Sequence, residues 1–291
     1  MATAARCIQC RRAFPSDVTP TLTENKTDAP PLVGLVGVIL GLCLYVPALL
    51  VSFVPSPSQP WLVTARALLG AGVAPIALAS GIWLTRLRQH IKGTDYIMAI
   101  ASGAAIGLGV ALVLYFVVPK LSIAFGTVVI LPVLVAAVEE AGKMLAIWGF
   151  LKRDRYPRET QGLLFGVLAG LGFAAAENTV YVLTAIHQGE SDGVSQIVFL
   201  RMMMCVAQAG WTGTLASIFW RWKDVSVQWT KPVLYTFAAV ILIHALWDYQ
   251  FLSPDTFADG FPAVVQASIV CTLVLFLPRV MHAVRSDHGA A

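Results

Sequence analysis

The chain has 291 residues, of which 57% are hydrophobic and only 12% are charged, and its mean hydropathy is +0.74. About 25% of the residues of a soluble globular domain are charged, so this composition excludes an ordinary soluble protein and indicates that most of the chain lies in a lipid bilayer. The net charge of +4 does not indicate nucleic-acid binding, because the basic residues are grouped between apolar runs.

The amino-terminal tail, residues 1–31, is polar and lacks the short apolar core and cleavage site of a secretory signal peptide. It contains Cys7 and Cys10 as a CxxC pair. A structural zinc site needs four ligands, and no second pair follows in the sequence. The favoured interpretation is therefore a cytoplasmic tail with two free thiols, and the alternative is a metal site shared between chains.

Eight apolar runs follow, and each is long enough to cross the hydrocarbon core of a membrane, which takes about 20 residues. They lie at 32–54, 61–84, 96–118, 121–151, 161–187, 194–220, 232–252 and 261–283. The sequence therefore predicts an all-α fold, a polytopic membrane helix bundle of about eight transmembrane helices. The membrane-embedded domain would span 32–283, with a cytoplasmic tail at 284–291.

The run at 121–151 is longer than a single span requires. Proline is favoured in the first turn of a helix, so we expect the spanning helix to open at Pro132. Residues 121–131 would then form a separate outer-leaflet or re-entrant piece.

Sixteen of the 20 lysines and arginines lie in alternate connections. These connections are the amino-terminal tail, 85–95, 152–160, 221–231 and the carboxyl-terminal end, whereas the intervening ones contain Lys120 alone. The alternation follows the positive-inside rule and predicts that both termini are cytoplasmic.

Glycines recur at every fourth position in two of the runs. Gly162, Gly166 and Gly170 form one such stripe, and Gly103 and Gly107 form another. Small residues at this spacing allow helix backbones to approach closely. The pattern predicts a packed bundle rather than separate anchors.

Several charged and polar side chains interrupt the apolar runs. They are Arg66, Glu139, Glu140, Lys143, Glu177, Arg201, Gln208, His244 and Asp248. A charge at the centre of a membrane costs about 3 kcal/mol, so these groups must pair or face a wet cavity. With a rise of about 1.5 Å per residue, most of them are expected at one level in the outer half of the membrane, and Gln208 nearer the midplane.

The spacing within this set predicts specific pairs. Lys143 follows Glu139 by four residues and Glu140 by three, so it can neutralise either acid on one helical face and leaves the other available. His244 and Asp248 are also four apart, so the aspartate can hold the imidazole by its second nitrogen.

Carboxylates with a histidine offer the groups that activate water: a base, an acid and a group that orients or stabilises. The same set resembles a carboxylate–histidine metal site. It can also serve a proton- or cation-coupled transporter, although the cytoplasmic half of the runs carries almost no polar path.

Three of these stretches resemble the motifs of the PrsW family of intramembrane proteases, relatives of the type II CAAX-prenyl endopeptidases. Glu139, Glu140 and Lys143 match E-E-x-x-K. Phe173, Glu177 and Asn178 match F-x-x-x-E-N, and His244 and Asp248 match H-x-x-x-D. The motifs occur in the family's order over residues 130 to 250.

The resemblance implies an intramembrane endopeptidase in which Glu140 or Glu139 activates water. It implies that Glu177 is a second acid or base, or orients the water, and that His244, held by Asp248, stabilises the oxyanion. The residues expected to support them are Lys143, Asn178, Arg201 and Gln208. The implied substrate is a membrane-spanning protein or peptide, on the bacterial example an anti-sigma factor, cut in the bacterial cytoplasmic membrane.

The sequence departs from the family pattern at Gln208, where the family usually has a further histidine. Glutamine cannot carry a proton and is a poor metal ligand, so we expect a glutamate mechanism without a resident metal. A zinc ion is the alternative, with Glu140, Glu177 and His244 as its candidate ligands. A catalytically silent relative that binds membrane peptides is the alternative to an active enzyme.

Overall fold

The computed structural model describes residues 72, 75–83, 90–125, 130–187, 194–223, 231–252, 274 and 278. Within these residues all the regular secondary structure is helical, and turns and loops connect the helices. The helices described are α1 (Gly93–Phe125), α2 (Ile130–Leu151), α3 (Glu159–His187), α4 (Val194–Arg221) and α5 (Lys231–Leu252). These helices match five of the eight predicted runs.

The other three predicted runs lie wholly or largely outside the described residues. A helical segment at 75–83 falls within the run predicted at 61–84. The runs at 32–54 and 261–283, both terminal tails with Cys7 and Cys10, and Arg66 are outside the described part, apart from two isolated helical positions at 274 and 278. The number of eight spans therefore stays a prediction.

Residues 121–131 do not form the separate piece that the sequence predicts. Residues 121–125 continue α1, and α2 already begins at Ile130, with Pro132 in its first turn. Only 126–129 lie outside the described residues. The apolar pattern extends the neighbouring helices because in a bilayer a helix satisfies every backbone group internally.

Large apolar side chains cover the outside of the bundle. Phe116 on α1, Leu145 on α2 and Leu242 on α5 are each more than 60% exposed. Three described helical stretches are long and apolar enough to cross a membrane: Gly93–Leu114, Glu159–Thr184 and Lys231–Tyr249. Apolar side chains outside and charges inside are the arrangement of a helical membrane bundle.

Helix α3 is the centre of the bundle, with α1 and α4 as its principal neighbours. A Cβ atom at Gly103 of α1 would lie 2.1 Å from the carbonyl oxygen of Ala169 on α3. A Cβ at Gly166 of α3 would lie 2.4 Å from the carbonyl oxygen of Thr212 on α4. The glycine stripes thus mark close backbone approach, as predicted.

We expect Gly103→Ala to destabilise the protein by about 2 kcal/mol, because the new methyl group meets backbone that cannot move aside cheaply. Gly109→Ala is the matched control on the same helix, since a Cβ there meets nothing within 4 Å. Thermal unfolding in detergent measures both variants. Equal melting temperatures would contradict the close contact between α1 and α3.

A polar clasp holds one end of the bundle together. Asp95, near the start of α1, accepts hydrogen bonds from Arg153 (2.7 Å) and Arg155 (2.5 Å) and from the Tyr156 hydroxyl. The Tyr156 carbonyl oxygen in turn accepts a 2.9 Å bond from the Trp220 indole of α4. The loop between α2 and α3 is therefore tied to α1 and α4, which fixes the helices that carry the polar side chains.

Candidate active site

Lys143 distinguishes the two adjacent glutamates of α2. Its Nζ lies 2.6 Å from Glu140 Oε1 but 3.9 Å from Glu139 Oε2. All three side chains are buried. Lys143 therefore pairs more closely with Glu140 than with Glu139, and the availability of one acid for catalysis stays a prediction.

His244 of α5 lies against both glutamates. Its Nδ1 is 2.9 Å from Glu140 Oε1, within hydrogen-bonding distance, whereas its Nε2 is 3.4 Å from Glu139 Oε2 and 3.6 Å from Asp248 Oδ2. Asp248 does face the second nitrogen, Nε2, but at 3.6 Å the contact is an ion pair rather than a direct hydrogen bond. Glu140, which is 104 positions away in the sequence, provides the direct hydrogen bond instead.

Unsatisfied polar atoms converge beside His244. Glu139 Oε2, His244 Nε2 and Asp248 Oδ2 are buried and have no hydrogen-bond partner among the described residues. Buried polar groups in proteins are nearly always bonded to protein or to ordered water. The two distances from Nε2, 3.4 and 3.6 Å, are too long for strong direct hydrogen bonds.

Glu177 of α3 lies in a second ion pair. Its Oε1 accepts a 2.5 Å bond from Arg201 of α4, and the Arg201 guanidinium lies 3.8 Å from the centre of the Tyr181 ring. Glu177 makes no hydrogen bond or ion pair with Glu140 or His244 in the described structure. Glu177 is thus near Glu140 and Lys143 but pairs with Arg201 instead of Lys143.

Gln208 joins the two ion pairs. Its Oε1 accepts a hydrogen bond from Lys143, and its Nε2 donates a 3.3 Å bond to Glu177 Oε2. The residue is fully buried. The sequence placed Gln208 nearer the midplane than the other polar groups, but the structure brings it into direct contact with them.

Asn178 connects α3 to α4. Its Nδ2 donates to the carbonyl oxygen of Arg201 (3.1 Å) and to the Cys205 sulfur (3.3 Å). This contact fixes α3 against α4 next to Glu177. The supporting position predicted for Asn178 therefore corresponds to helix packing.

Trp211 is a member of the site that the sequence did not indicate. Its ring lies 4.5 Å from the His244 ring, and Lys143 Nζ lies 6.0 Å from its centre. Lys143 Nζ is also 4.4 Å from the Phe173 ring. Trp211 comes three residues after Gln208 in the sequence, and a tryptophan in the middle of a span, away from the interface that this residue prefers, was the available signal.

All the residues of this site lie within the part of the chain that matches a known protein family. Residues 58–278 match the model of a family described as PrsW family intramembrane metalloprotease. No curated protein and no solved structure matches the chain.

The family description implies a metal ion, but the side chains of the site do not fit one. The three candidate ligands do not converge, since Glu177 is occupied by Arg201 and Gln208 while Glu140 and His244 contact each other. Within the described residues no group of three His, Cys, Asp or Glu side chains is arranged to hold a metal.

Glu139, His244 and Asp248 come nearest to a ligand set, with separations of 3.4 and 3.6 Å. The Lys143 ammonium lies 3.9 Å from the same Glu139 oxygen, however, and opposes a divalent cation there. The arrangement of these residues does not fit a resident metal, and no step below is routed through one.

Proposed function

Because the chain belongs to the PrsW family of intramembrane proteases, we propose that it hydrolyses peptide bonds of membrane-spanning proteins with a water molecule activated by Glu139. The observation that carries this proposal is the convergence of three buried, unpartnered atoms: Glu139 Oε2, His244 Nε2 and Asp248 Oδ2. Water in that position has the two to four polar partners that a buried water requires.

The charges around the site favour Glu139 over Glu140 as the general base. Glu140 is paired with Lys143 at 2.6 Å and bonded to His244 at 2.9 Å. Glu139 has an oxygen without a hydrogen-bond partner among the described residues, and Lys143 is farther from it, at 3.9 Å. Glu139 removes a proton from the water, and the water oxygen forms a bond to the scissile carbonyl carbon.

His244 is the group that stabilises the resulting oxyanion. Its Nδ1 faces the Glu140 carboxylate, so Nδ1 carries a proton and Nε2 faces the reacting atoms. As an imidazolium, the ring donates from Nε2 to the oxyanion. Glu139 then passes its proton to the leaving nitrogen as the carbon–nitrogen bond breaks, which restores the starting carboxylate.

Asp248 and Glu177 take different parts in this scheme. Asp248 Oδ2, 3.6 Å from His244 Nε2, helps to hold the water and balances the imidazolium charge. Glu177 is a positioning residue, because its carboxylate is neutralised by Arg201 rather than aimed at the water. It organises the site without exchanging protons.

The substrate class follows from the membrane setting and the family. A membrane-spanning protein whose helix unwinds near the site fits a buried catalytic group, and an anti-sigma factor is the example that the family resemblance implies.

The experiment that tests the proposed function is incubation of a fluorescently labelled single-span substrate with purified protein in liposomes. Two fragments are expected, whereas binding without fragments would indicate the silent relative that Gln208 makes the second candidate.

We further propose eight spans in the bacterial cytoplasmic membrane, with both termini in the cytoplasm. The alternating distribution of lysine and arginine supports this orientation. Reporter fusions at Arg155 and Lys223 are expected to report the cytoplasm, and fusions at Glu190 and Asp255 the opposite side. A carboxyl-terminal fusion that reports the outside would contradict the even number of spans.

A further inference from the structure

We infer that Gln208 is a positioning residue that fixes Lys143 on Glu140 and thereby keeps Glu139 free to act as the base. The inference rests on the proposed function. It assigns a specific task to the glutamine that stands where the family usually has histidine.

The contacts of Lys143 support this task. The ammonium group has three N–H donors, and it gives one to Glu140 Oε1 at 2.6 Å and one to Gln208 Oε1. Glu139 Oε2 is 3.9 Å away. Without the amide oxygen, the ammonium would be free to shift towards Glu139, which is also within reach on the same helical face.

The other end of the amide is anchored on α3. Gln208 Nε2 donates to Glu177 Oε2 at 3.3 Å, and the second oxygen of Glu177 accepts from Arg201 at 2.5 Å. The amide oxygen of Gln208 therefore accepts from the Lys143 ammonium, while its amide nitrogen donates to the Glu177 carboxylate. This polarity fixes which way the side chain faces.

The backbone of Gln208 is held as firmly as its side chain. A Cβ at Gly170 would lie 2.6 Å from the Gln208 carbonyl oxygen, so α3 and α4 touch at this point. The same oxygen accepts a 2.9 Å bond from the Thr212 hydroxyl.

Together, the side-chain hydrogen bonds form a contiguous polar chain that runs from Arg201 through Glu177, Gln208 and Lys143 to Glu140.

Gln208 does not contact the reacting atoms, so its loss should affect turnover rather than substrate binding. We expect Gln208→Leu to lower kcat by about 100-fold, the scale of a 1 Å misplacement of catalytic groups, with KM nearly unchanged. Gln208→His should recover most of the loss, because a neutral imidazole also offers one acceptor and one donor. Ser217→Ala, on the same helix and outside the bridge, is the control and should cleave normally, since the Ser217 hydroxyl donates to the Thr214 carbonyl oxygen.

A second measurement detects the bridge without activity. Melting temperatures of Lys143→Met, Gln208→Leu and the double variant form a mutant cycle. If the two side chains are bonded, the double variant loses less than the sum of the single losses. Additive losses would overturn the bridge.

The outcomes separate this inference from the proposed function. If wild type and Ser217→Ala cleave and Gln208→Leu matches them in kcat, the positioning role of Gln208 is overturned and the glutamate mechanism stands. If a coupled mutant cycle is found but wild type does not cleave, the bridge is supported and the proposed function fails. A leucine variant that changes KM but not kcat would also overturn the inference.

Discussion

Replacement of Glu139 by glutamine is expected to lower kcat by about 10²–10⁴-fold, the usual contribution of a general base, while the protein keeps its stability. The amide has the shape of the carboxylate but cannot accept the proton of water. The ion pairs that Glu139 would lose are long, with Lys143 at 3.9 Å and His244 at 3.4 Å. The measurement is single-turnover cleavage in liposomes together with thermal unfolding of the same preparation.

Glu140→Gln is the matched control for this prediction, because it makes the same carboxylate-to-amide replacement at the adjacent residue. It leaves the buried Lys143 ammonium without its carboxylate partner at 2.6 Å. Breaking one side of a buried ion pair typically costs about 3–5 kcal/mol, so this variant should lose stability as its primary effect. A stable, inactive Glu140→Gln beside an active Glu139→Gln would reverse the two assignments.

Replacement of Arg201 by methionine should destabilise the protein by about 3–5 kcal/mol, because it leaves the Glu177 charge buried and unpaired. The double variant Arg201→Met with Glu177→Gln removes both charges and should recover most of this loss. Arg153→Met is the control, since the Arg153 side chain is 41% exposed and exposed pairs contribute about 0–1 kcal/mol. Melting temperatures of the purified variants measure all three effects.

The double variant also tests the role proposed for Glu177. If Glu177 positions Gln208 without exchanging protons, the double variant should retain cleavage, because glutamine at 177 still offers an oxygen to Gln208 Nε2. A stable double variant without any cleavage would contradict this role and return Glu177 to the set of proton-transfer groups.

The sequence predicted most of the described fold because its signals are local. Long apolar runs defined the five helices, Pro132 indicated the start of α2, and the spacing of Gly103, Gly166 and Gly170 predicted the close helix contacts. The continuation of α1 to Phe125 was missed. Hydropathy marks the part of a helix that lies in hydrocarbon and does not mark where the helix itself ends.

The sequence also identified the side chains that gather in the site but not which of them make contact. Helical spacing allows Lys143 to reach either Glu139 or Glu140, and only the packing of α4, which brings Gln208 to Lys143, distinguishes them. Likewise, His244 is four residues from Asp248 but contacts Glu140 on another helix. Which side chains make contact depends on the orientation of each helix about its own axis relative to its neighbours. Sequence periodicity does not determine that orientation.

The Asp95 clasp is a further case of this kind. The basic loop around Arg153 and Arg155 was recognised as part of the charge alternation, whereas Asp95 received no role. A single acid near the start of a span is easily taken for a solvated charge. Its partners are about 60 positions away, so the pairing becomes evident only when α1 lies beside the loop after α2.

We propose that a glutamate, and no resident metal, activates the water. The most direct test is the rate of substrate cleavage by purified protein in liposomes after treatment with a strong zinc chelator, with metal analysis of the same sample. We predict an unchanged rate and well under one equivalent of metal per chain. Loss of cleavage in the chelator, with recovery on addition of zinc, would contradict the account and turn Glu139, His244 and Asp248 into the ligands to be tested.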